Sequence, residues 1–147
     1  MTVSGTGTAT GAGAIDGWPR VLLWLIGVVT ILNGAGMYVA PESWFNAVPG
    51  VAETGPFNGH FVRDVGAAYA ASGVAVILAV QIRAAQLPLL IVASIFSGGH
   101  ALRHVVEWGT VEGARHNWAN DAIAVVLPSA IILIATAVAW RDHTTES

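Results

Sequence analysis

Four of the five histidines fall in three short strings: HFVRD at 60–64, HALRHVVE at 100–107 and RHNWAND at 115–121. Imidazole and carboxylate groups at such spacing are the material of a metal centre or an acid–base site. His60 and Asp64 stand four residues apart, as do Asn117 and Asp121, while His100, His104 and Glu107 form an i, i+4, i+7 stripe. On a helix each set shares one face, and the stripe would run about 10 Å at 1.5 Å per residue. A His pair one turn apart can chelate one ion, so His100 and His104 are the expected nucleus of a metal site. His60 or Asp64, with His116 or Asp121, would complete the shell. The chain has no cysteine, which leaves nitrogen and oxygen ligands of the kind that suit Cu, Fe or Zn.

Two classes of function follow. In the enzyme reading, a metal centre performs redox or hydrolytic chemistry on a small or lipid-soluble substrate. Glu107 (or Asp64) then accepts a proton, Arg103 stabilises developing negative charge, and Arg63 and Asn117 hold the bound cofactor. In the binding reading, the same cluster holds a metal, a quinone or a lipid headgroup, or docks a partner subunit, without turnover. A b-type haem between His60 and His100 or His104 ranks below a bare ion, because interleaved carboxylates do not suit an apolar haem pocket. Plain structural roles stand beside all of these. Asp121 can serve a helix dipole, Asn58 and Asn117 can be N-caps, and Arg63, Arg103, Glu107 and Asp64 can pair across helices to set their register. His116 can be a simple loop residue, and His143 is expected to be incidental. P-loop, dinucleotide and serine-nucleophile motifs are absent.

The elements that must position these groups are membrane helices. Of 147 residues, 54% are apolar and 10% charged, with a mean hydropathy of +0.65, unlike a soluble domain. With six Arg, no Lys and a net charge of −3, there is no basic footprint for nucleic acid. Four stretches, 18–40, 60–82, 86–108 and 117–140, reach the roughly 20 residues needed to cross a bilayer. The expected fold is all-α: an integral-membrane, four-helix, up-down bundle over 18–140, with a flexible tail at 1–17 and a short tail at 141–147. Pro41–Gly59 reads as a structured loop, and the link at Arg83 is short enough to force a hairpin. In this arrangement the three polar strings meet at one end of the bundle. Gly34, Gly36, Gly66, Ala70, Gly73, Ser94, Ser97, Gly98 and Gly99 supply small residues for close helix packing, with Gly66 and Gly98 as marked contacts. Pro128 should kink the last span, and Ile132 should face lipid. Arg20 before the first span places both termini in the cytoplasm of a plasma-membrane protein, with the polar end outside. Partners are then the bilayer and a homo-oligomer or larger membrane complex.

The string GPFNGHFVRDVGAAYAASG resembles small four-span bacterial membrane proteins of unassigned function, in which an NxHFVRDxG-like start to the second helix recurs. The likeness covers at most the second and third spans. It implies a bundle in which His60, Arg63 and Asp64 act as a unit, and it implies no activity. The Ala- and Val-rich, Lys-free composition points to a high-GC bacterium.

Overall fold

The computed structural model describes residues 15–110 and 118–146, and all the elements in them are helical. Six helices follow in order: α1 (Trp18–Val39), α2 (Pro41–Ala47), α3 (Gly59–Gln81), α4 (Gln86–Thr110), α5 (Trp118–Asp121) and α6 (Leu127–Glu146). A π-helical turn, Ala122–Val126, joins α5 and α6 into one run. α1, α3, α4 and the α5–α6 run are each long and apolar enough to cross a membrane.

Local chemistry sets the boundaries. α3 begins where the Asn58 carboxamide accepts hydrogen bonds from the backbone N–H groups of His60 and Phe61, both at 3.1 Å, so Asn58 is the expected N-cap. Between α3 and α4 lies one 3-10 turn, Arg83–Ala85. The hairpin is tied by buried Gln86, whose Nε2 donates to the Ala79 carbonyl at 3.2 Å. Pro41 opens α2, so the expected loop between the first two spans holds a seven-residue helix. The proline ring of Pro128 would clash with the Ala124 carbonyl in a regular α-helix. Instead Leu127 N–H bonds the Ala122 carbonyl, five residues back. A π turn therefore stands immediately before Pro128, where the sequence places a kink.

Packing is uneven around the bundle. α1 and α3 are held closest, through two glycine pairs at heptad spacing. A Cβ placed on Gly27 would lie 3.0 Å from the Gly73 carbonyl oxygen, and one on Gly34 would lie 2.7 Å from the Ala70 nitrogen and overlap the Gly66 carbonyl. Gly66 and Gly73 meet α1 in the same way, so only glycine lets these backbones touch. α4 and α6 are joined by hydroxyls, with Ser94 Oγ 2.7 Å from Thr136 Oγ1. α1 and α6 scarcely touch, which leaves a seam along one side of the bundle.

Several expectations are corrected. Gly98 does not mark a close approach, because a Cβ there would meet only Leu133 side-chain atoms, at 3.6 Å or more. Gly36 is similarly loose and Gly99 faces open space, whereas Gly27 was overlooked. Ile132 is 3% exposed and belongs to the core rather than to the lipid face. The C-terminal segment 141–146 continues α6 instead of forming a tail. Of the expected N-terminal tail, residues 1–14 lie outside the described residues. Ile15, however, is packed into the core, and Asp16 pairs with Arg20 at 3.7 Å and Arg83 at 3.2 Å.

Candidate functional site

At the end of the bundle away from the termini, the seam widens into a cavity of about 490 Å³. Its walls are mostly apolar: Leu25, Ile26 and Val29 from α1 face Ala124, Val125 and Pro128 from the π turn and α6. Polar groups reach it at two places. On one wall, Trp44 Nε1 donates to Asn33 Oδ1 at 2.9 Å. This bond secures α2 against α1 and so fixes the cavity rim.

On the other wall, α3, α4 and α5 bring together a chain of polar side chains. The Tyr69 hydroxyl lies 2.7 Å from His100 Nε2. The His100 and His104 rings meet edge to face with centroids 4.7 Å apart. His104 Nδ1 is 3.1 Å from Asp121 Oδ2, and the same oxygen accepts from Trp108 Nε1 at 3.5 Å. The His104–Asp121 approach lies off the ring N–H direction, so it is a close polar contact rather than an aligned hydrogen bond. Their side chains are 23% and 14% exposed. Phe96 packs edge-on to Tyr69, with centroids 5.0 Å apart, and holds that ring in place. Behind Tyr69 and His100 a further space of about 50 Å³ is lined by the hydroxyl-bearing Ser72, Ser97 and Ser129.

Of the residues expected at a site, His100, His104 and Asp121 are brought together. His60 and Asp64 are not among them. They pair with each other at 3.3 Å on the outer surface, with side chains 89% and 65% exposed, and line no part of the cavity. Arg63 turns back to the Gly59 carbonyl at 3.2 Å and faces α2. Arg103 and Glu107, expected as catalytic groups, pair with each other along α4, 2.6 Å apart and outside the cavity lining. The remaining expected site residues, His116 and Asn117, lie outside the described residues, as do Glu112 and Arg115. Among the described residues, no three His, Asp or Glu side chains gather as a metal-binding group.

The physical reason for the split on α3 is rotational. At 100° per residue, Asp64 lies about 160° and His60 about 120° around the helix from Gly66, whereas Tyr69 is within about 60° of it. Once Gly66 is pressed against α1, His60 and Asp64 must point outward. Tyr69, Asn33 and Trp44 were missed, although a signal existed: Tyr69 and Asn33 are polar groups well inside apolar spans, where such groups are costly.

No family model matches the chain, and neither a curated protein nor a solved structure does.

Proposed function

We propose that this chain is an integral membrane protein that binds a lipophilic ligand with a neutral, hydrogen-bonding head, of the quinone class, in the cavity between α1 and α6. The observation that carries the reading is the 2.7 Å Tyr69–His100 pair on the wall of a cavity whose lining is mostly apolar. This is the composition of a ligand pocket: apolar walls with a few placed polar groups.

The pair can work in either direction. When His100 Nε2 is protonated it donates to Tyr69, whose own O–H is then left to donate to a ligand carbonyl. When Nε2 is bare it accepts from Tyr69, whose oxygen can then accept from a ligand hydroxyl. A quinone presents carbonyls in one state and hydroxyls in the other, which matches this reversibility. Asp121 extends this polar wall beyond His104, its Oδ2 3.1 Å from Nδ1. An anionic lipid headgroup fits less well, because among the described residues no Arg lines the cavity and Asp121 does. A haem held between facing helices also fits less well, since His100 and His104 belong to one helix and His60 lies outside.

The test is calorimetric titration of a short-tailed benzoquinone into the protein in nanodiscs. Saturable binding is expected, weakened about 5–10-fold by Tyr69→Phe, the effect of one hydrogen bond. His60→Ala, on the outer surface, should leave it unchanged. Absence of saturable binding, or an equal loss with His60→Ala, overturns the reading. Stoichiometric zinc, copper or iron that survives purification and is lost in His104→Ala would replace it with the metal-centre reading.

The orientation that goes with this proposal places both termini in the cytoplasm and the cavity in the outer half of the membrane, from Arg20 beside the first span. The chain's lack of cysteine makes single-cysteine labelling clean. On intact cells an impermeant thiol reagent should label Glu53→Cys and leave Thr145→Cys unlabelled. The reverse pattern inverts the assignment.

A further inference from the structure

The seam between α1 and α6 does not end at the polar cavity. Towards the termini it contains a second cavity of about 420 Å³, walled by Leu22 and Leu23 on α1 and by Ile131, Ile134, Ala135 and Val138 on α6. Its lining is apolar except for Asp16, with Trp18 and Pro19 at the end that carries the termini. The two cavities occupy adjacent stretches of both helices. Leu22 and Leu23 precede Leu25 and Ile26 of the polar cavity by less than a turn, and Ile131 follows Pro128 by three residues. From Val125 to Val138 the wall extends about 20 Å at 1.5 Å per residue.

We propose that this seam holds the tail of the ligand: a single long isoprenoid or acyl chain runs from the Tyr69–His100 wall along α1 and α6 towards the termini. This rests on the binding reading above and deepens it by assigning the ligand a long tail rather than a free ring. Three features argue for a tail as the occupant. The second cavity continues the line of the first; it offers a ligand almost no polar partner beyond Asp16 at the end that carries the termini; and it lies between two helices of membrane-crossing length that leave each other largely uncovered. A flexible chain of methylene or isoprene units fills a narrow apolar groove and gains packing contacts with each unit seated there, the lipid it leaves being equally apolar. The same geometry lets a ligand enter sideways from the lipid phase, head and tail together.

The experiment compares one benzoquinone head carrying tails of increasing length, bound to the native protein and to Ala135→Leu in identical nanodiscs. Partition into the lipid is then the same for both proteins and cancels. The native protein should prefer the long-tailed over the short-tailed compound by about tenfold more than Ala135→Leu does, owing to the packing contacts that the leucine displaces. Short-tailed binding should be equal in the two, because Ala135 lines the second cavity and not the one that Tyr69 lines. Val138→Phe, further along the seam, should reproduce the effect if Ala135→Leu folds poorly. If the native protein binds the short-tailed compound but both proteins show the same tail-length dependence, the tail inference falls and the head-site reading stands. If the native protein binds no compound of the series, both fall. If the substitutions weaken short- and long-tailed ligands alike, the seam is part of the bundle's packing and the tail inference is likewise overturned.

Discussion

Gly34→Leu should abolish the folded bundle, and Gly34→Ala should already lower its stability. A Cβ on Gly34 overlaps the Gly66 carbonyl and lies 2.7 Å from the Ala70 nitrogen. These are backbone atoms of α3 that cannot rotate away as a side-chain end would, so α1 must move outward along the contact. In lipid, adhesion between apolar helices comes mainly from close packing, so separation removes the interaction along with the strain. The expected cost is more than about 3 kcal/mol for leucine and about 1–3 kcal/mol for alanine. The matched control is Gly98→Ala. Its Cβ would make an ordinary 3.6 Å contact with Leu133, and removing a mid-helix glycine is itself favourable by about 0.5–1 kcal/mol. Melting in mild detergent, followed by a packing-sensitive signal, should show a large downward shift for Gly34→Ala and none, or a small rise, for Gly98→Ala. Equal shifts for the two would mean that the α1–α3 contact has been assigned wrongly.

Asp121→Ala should be the most damaging removal of a single charge in the polar cluster. Its carboxylate is mostly covered and faces both His104 at 3.1 Å and Trp108 at 3.5 Å. Truncation removes a covered polar group from beside the largely buried His104, takes the acceptor from the more exposed Trp108 and unties α5 from α4. The expected loss is about 1–3 kcal/mol. Asp64→Ala removes a residue of the same type from a pair whose side chains are 65% and 89% exposed, and should change stability by less than about 0.5 kcal/mol. Chemical denaturation of the two variants in the same detergent separates the cases. Comparable losses would show that His60 and Asp64 are structurally engaged after all, and would restore the wider cluster that the spacing alone suggests.

The four long helices were legible because crossing length and apolar content are sums over local sequence, insensitive to how the helices later meet. The same locality made Asn58 readable as a cap and Arg83 as a tight hairpin. Because the short link makes α3 and α4 neighbours, chain order alone brought the strings at 60–64 and 100–107 to one end of the bundle. Which of their side chains share a site is a question of helix rotation. On α3 that rotation is set by the glycine contact with α1, which turns Tyr69 inward and leaves His60 and Asp64 outside. On the last span the π turn, Ala122–Val126, inserts one residue into the helical repeat. Residues before the turn are thereby rotated by about 100° relative to an α-helix extended back from α6. The direction of Asp121 therefore cannot be read from spacing along that span. What the sequence by itself determined is the number of long apolar helices, their up-down alternation and the end of the bundle that carries the polar groups. Only the tertiary structure decided which of those groups face one another, because facing depends on glycine-limited contacts and a local change of helical pitch that no single segment specifies alone.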